Sequence, residues 1–147
     1  MAKEPALLLT VVAGGLIALQ APINSMLGKS VGTFAAASVS FMVGTIALVL
    51  ITVLLGGGFG DVGEARHLPW YYLLGGVLGA VYVTTALVAV RSLGAGGVTA
   101  ATISGQLTLS LVIDQLGILG VDKQPITWER VLGVLLLALG TVLIVRE

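Results

Sequence analysis

The chain has 147 residues, of which 57% are hydrophobic and only 10% charged, with a mean hydropathy of +1.11. A soluble domain carries roughly 45–50% apolar and about 25% charged residues, so this composition excludes an ordinary soluble protein. Seven basic side chains cancel seven acidic ones, which leaves no bulk field to draw nucleic acid. The absence of cysteine and the single histidine exclude disulfides, thiol chemistry and a histidine-rich metal cluster.

A membrane-spanning helix needs about 20 mainly apolar residues. Charged and turn-forming positions divide the sequence into five such runs, at about 5–28, 32–56, 69–90, 97–118 and 128–145. The expected fold class is all-α: one multi-pass, five-helix transmembrane domain over 1–147. The breaks are Gly28-Lys29-Ser30, the glycine-rich 56–69, RSLGAGG at 91–97 and VDKQPITWER at 121–130. Trp70, Tyr71 and Tyr72 open the third run and Trp128 the fifth, where interfacial aromatics anchor helices.

The first run is read as a span and not as a cleaved signal, because its core is long and no small-x-small site precedes Lys29. Its end, QAPINSMLGKS at 20–30, mimics a phosphate-binding loop. That motif requires a glycine five residues before Gly28, and Ile23 stands there. What remains is Gln20 and Asn24 four apart on one helix face, with Pro22 between them able to bend the helix. The pair either lines a cavity or bonds helices to one another.

The second run carries Thr33, Ala37, Ser40 and Gly44 as a small-residue seam, and the third carries Gly75 and Gly79 likewise. Tyr82 needs a partner for its hydroxyl at bilayer depth, in a cavity or on a neighbouring helix. In the fourth run Thr99, Thr102, Gln106, Ser110 and Asp114 recur at spacings of three and four. They form one polar stripe, opposite the apolar Leu107, Leu109, Val112 and Leu116. Gln106 lies nearest mid-bilayer. Asp114 is the carboxylate within a run, a candidate ion or proton site, or else an interfacial acid salt-bridged to a base near Lys123 and Arg130. Gly133 and Gly140 stand one heptad apart in the fifth run beside Thr141 and suit helix packing or a dimer seam.

Five crossings place Lys3, Arg66, Lys123 and Arg130 on one side and Lys29, Arg91 and Arg146 on the other. Orientation follows an excess of Lys and Arg in cytoplasmic loops. Four against three is almost no excess, so the expectation is insertion in both senses and an antiparallel homodimer; a single added charge, or slow passage of the 56–69 loop, would instead fix one orientation.

Gln20 and Asn24 around Pro22, Ser40-Phe41-x-x-Gly44, and above all GQLTLSLVIDQLGILG at 105–120 resemble the YdcZ-like family of small bacterial inner-membrane proteins. That group lies within the drug/metabolite transporter superfamily. Its specific pattern, G-Q-L-x-x-S-L-x-I-D-x-x-G-x-x-G, runs here from Gly105 to Gly120, with Gln115-Leu116 where relatives often have His-Phe. The resemblance implies a five-helix half of a ten-helix transporter. Small multidrug exporters resembling the superfamily use a glutamate in the first helix, but no acid occurs from Pro5 to Gly28.

The function expected is therefore a small secondary transporter or facilitator of a small metabolite, with Gln20, Asn24, Ser40, Tyr82, Thr102, Gln106 and Ser110 as cavity residues. Neutral amides bind by hydrogen bonding, so a permanently charged substrate has no evident counter-ion. The alternative is a non-transporting interaction subunit, or one half of a heteromer. An enzyme is not expected: the helices hold no nucleophile–base pair, nothing orients Asp114 with His67, and no cofactor or metal is called for.

Overall fold

The computed structural model describes residues 3–146, and among them it is helical without a strand. Helix α1 spans Lys3–Val31 and α2 spans Thr33–Leu54, joined through Gly32 alone. Two short 3₁₀ segments, Gly60–His67 and Trp70–Leu73, lead into α3, Leu74–Leu116, and α4 spans Trp128–Val145.

These elements follow from the bilayer as solvent. At 1.5 Å per residue, the 22 residues of α2 reach about 33 Å, enough for a hydrocarbon core of about 30 Å. The 43 residues of α3 are two helices that meet at Gly94, and its arms, 74–93 and 95–116, each reach about 30 Å, one crossing apiece. The third and fourth spans expected from the sequence are two helices, and the break between them, within the glycine-rich 91–97, is a single residue. Gly94, at φ +67° and ψ 171°, is that break. A side chain is strongly disfavoured in that backbone region, while the flanking residues lose nothing by staying helical. Its arms, 74–93 and 95–116, bring the number of helical spans to five.

α1 runs through Pro22 as one helix. The proline removes the N–H that would bond the Ala18 carbonyl, yet the elements on either side hold the same helix. Almost every large apolar side chain is exposed; in α4, Leu135, Leu136, Leu139 and Leu143 are 56–61% exposed. Each leucine left in water forgoes about 1.5–3 kcal/mol, so the fold presupposes lipid or a protein partner around it.

The chain divides into two compact units, described separately here. One comprises the described parts of Met1–Ala18 and Ser92–Glu147; the other is Leu19–Arg91. In the second, the core is built from small residues: Ala21 of α1, Ala36 and Ala37 of α2, and Val83, Ala86 and fully buried Leu87 of α3. Phe41 of α2 lies against Gly79, where an added Cβ would meet the ring at 3.3 Å. Gly79 thus leaves room for the Phe41 ring. Gly44, Gly75, Gly133 and Gly140 are different: a Cβ at each would meet nothing within 4 Å. Among the described residues nothing approaches these four, and glycine aids packing only where another backbone or ring does.

Candidate functional site

In the unit Leu19–Arg91, the buried face of α1 is Ala21, Asn24, Ser25 and Gly28. It packs on α2 and on the first arm of α3. A Cβ on Gly28 would stand 3.5 Å from Leu87 Cδ1 and 3.6 Å from Ala36 Cβ, and 3.0 Å from Arg91 Nη2. The guanidinium of Arg91 thus folds down onto the bare glycine, and its Nε donates to Ser25 Oγ at 3.2 Å. The amide nitrogen of Asn24 is fully buried without a hydrogen-bond partner among the described residues. An unmatched buried donor costs about 1–3 kcal/mol. Gln20, Ser40 and Tyr82 are half-buried in this unit.

In the other unit, Ser104 of α3 and Thr141 of α4 join hydroxyls at 2.7 Å. Thr141 Oγ1 also reaches the carbonyls of Ala100 at 3.1 Å and Leu137 at 2.9 Å. The contact continues at Gly97, where a Cβ would lie 3.4 Å from Val145 Cγ2. Thr141 is thus a helix-joining group, satisfied within its unit. Replacing it by valine keeps the shape and leaves Ser104 unmatched. We expect a loss of about 1 kcal/mol in micelle unfolding experiments, with no further loss when Ser104→Ala is added.

This packing fixes which way the polar stripe points. At about 100° per residue, Gln106 and Ser110 lie roughly 200° and 240° around the helix from Ser104. They face away from α4, and both are exposed, with Thr102 half-buried on the same side. The groove between the second arm of α3 and α4 is instead apolar. It measures about 210 Å³, is lined by residues such as Leu111, Ile126, Val131 and Val134, and takes in none of the expected cavity residues.

Asp114 closes the α3–α4 connection. Its carboxylate Oδ2 accepts from Arg130 Nη1 at 3.3 Å, with the two side chains 25% and 32% exposed, and its backbone carbonyl accepts from Gln124 N at 2.8 Å. Arg130 also donates to the Gln124 side chain, and Gln115 Oε1 accepts from Ile126 N at 2.7 Å. The salt-bridged alternative for Asp114 thus has its geometry, with Arg130 as the partner. The amide at 115 holds the loop. Two glycines of the pattern, Gly117 at φ +62° and Gly120 at φ +78°, turn the chain after α3. The sequence pattern therefore has two physical parts: Gly105 to Ser110 presents polar groups, and Asp114 to Gly120 ends the helix.

Arg91, Ser25 and Gln124 escaped the sequence reading because each lies at a helix end or loop, where a polar residue is ordinary. The available signal was Ser25 and Gly28 three apart beside Asn24, which puts all of them on one half of the helix surface.

No curated protein and no solved structure matches the chain. A family model described as "Putative inner membrane exporter, YdcZ" matches residues 5–143, through all the spanning helices and both polar sets. The chain therefore belongs to the YdcZ family, a multi-pass inner-membrane protein of an exporter group.

Proposed function

We propose that the chain is one half of a secondary transporter for a small polar metabolite, completed by a second copy inserted in the opposite sense. One observation carries the reading. Gln106 and Ser110 stand exposed at the middle of the 95–116 arm, on the face that α4 leaves free. Hydrogen-bonding groups facing hydrocarbon are costly, so that face belongs against a wet cavity or another protein surface. The family's description as an exporter supports the cavity, and the near-even Lys/Arg distribution supports two orientations. Inverted halves around a midplane site are a common route to alternating access. Gln106 and Ser110 then supply hydrogen bonds that exchange between water and cargo as the cavity turns from one side of the membrane to the other.

Gln106→Ala tests this. The side chain is exposed and makes no hydrogen bond among the described residues, so stability is expected to change by no more than about 0.5 kcal/mol. Flux of cargo in reconstituted vesicles is expected to fall. Unchanged flux would remove Gln106 from the pathway.

A further inference from the structure

We propose that the Arg91 end of the unit Leu19–Arg91 is a recognition site for an anionic oxygen group, the carboxylate or phosphate of a small molecule. This deepens the transporter reading and rests on it only in treating the bound molecule as cargo.

The argument begins with charge. Within this unit α1 ends, α2 begins and the first arm of α3 ends at one level, as the approach of Gly28 to Ala36 and Leu87 shows. Lys29 and Arg91 lie at that level. The acids of the unit, Asp61 and Glu64, belong to the 3₁₀ segment beyond the far end of α2, about 33 Å away by the rise of that 22-residue helix. Within the unit, the two cations thus lie at one end and the acids at the other. The ion pair found among the described residues is the one between Arg130 and Asp114.

The donors come next. A guanidinium has five N–H groups and no acceptor, and Arg91 uses its Nε on Ser25. That bond and the bare surface of Gly28 hold the planar fork in place, leaving its two terminal nitrogens as a preformed clamp of the kind that binds carboxylate or phosphate in two parallel bonds. The buried Asn24 amide points to the same function independently. It lies four residues, or about 6 Å, deeper along the α1 face that carries Gly28, and its two N–H donors have no acceptor among the described residues. In the packing seen here the donor is sealed. A small separation of α1 from its neighbours would expose it, and an oxygen already held by Arg91 would satisfy it. An oxyanion is the ligand chemistry that answers an unpaired guanidinium and an unpaired amide donor at once; a cation or an apolar molecule answers neither.

The protein in maltoside micelles, which carry no phosphate, is titrated with succinate and with inorganic phosphate, following thermal unfolding. A parallel titration uses dihexanoyl phosphatidylglycerol. A saturable rise in Tm is expected for at least one probe. Arg91→Gln, with loss of a charge-assisted pair, is expected to weaken apparent binding about tenfold or more. Gly28→Ala keeps the charge but displaces the guanidinium, and is expected to weaken binding too; it covers the case in which Arg91→Gln fails to fold. Asn24→Leu is expected to raise the ligand-free Tm and weaken binding. A response to the soluble anions alone supports the site as one for cargo, and a response to the lipid alone supports it as a headgroup site. The absence of any saturable shift, or equal shifts in wild type and both Arg91-site variants, would overturn the proposal. Such a failure alongside Gln106-sensitive flux would leave the transporter reading intact, while Arg91-dependent binding without any flux would do the reverse.

Discussion

A chain carrying Gly60→Lys and Gly63→Lys is expected to insert in one orientation only and to lose transport when expressed alone. The wild-type count of four basic residues against three becomes six against three, enough to set orientation by loop charge. Both glycines suit the change: neither has a positive φ, and a Cβ at either meets nothing within 4 Å. The companion chain carries Ser30→Lys and Ala95→Lys, both at exposed positions, and shifts the count to four against five. Each variant alone would supply only parallel copies; expressed together they would restore the antiparallel pair and the flux. Reporters at the C-terminus, one active inside and one active outside, read the orientation, and vesicle flux reads the assembly. Full activity from the Gly60→Lys/Gly63→Lys chain on its own would eliminate the antiparallel pair.

Gly117→Val should be the most destabilising single change in the α3–α4 connection. At φ +62° a β-branched residue is strained, and its Cβ would fall 2.9 Å from Lys123 Cβ and 3.3 Å from Lys123 Cα. The nearest of these atoms are backbone or bonded directly to it, so they cannot swing aside. Strain and overpacking together amount to about 2–4 kcal/mol. The turn would open and pull Gln124 from the Asp114 carbonyl and Ile126 from the Gln115 amide. Gly120→Ala, at φ +78° in open space, bears the strain without the clash and should cost only about 1–2 kcal/mol. Gly133→Ala, in regular helix with no neighbour within 4 Å, should be neutral or slightly stabilising. Denaturant unfolding in micelles ranks the three, and equal stability for Gly117→Val and Gly133→Ala would refute the closed turn.

The helical spans were legible because each must keep its backbone hydrogen bonds internal across hydrocarbon, and that constraint appears directly as apolar length. The break at Gly94 shows its limit. Glycine and charge near 91–97 marked a break between two spans, and the structure has it there, but spacing did not show that helical backbone runs up to it on both sides and that one residue makes it. The stripe from Thr99 to Asp114 was equally plain from spacing. Its division into a presented part, Gln106 and Ser110, and a capping part around Asp114 was not. The spacing of Thr141 identified it as polar but could not show that Ser104 meets it.

Composition and periodicity alone therefore determined that this is a multi-pass helical membrane protein with polar groups at bilayer depth, since the solvent imposes those features residue by residue. Only the tertiary structure decided which polar groups are already satisfied: Ser104 with Thr141, Asp114 with Arg130, and the Ser25 hydroxyl by the Nε–H of Arg91. It also decided which are left for other partners, namely the sealed amide of Asn24 and the open face of Gln106. Hydrogen bonds and ion pairs depend on distances between residues as many as 66 positions apart, and those distances exist only once the helices have packed.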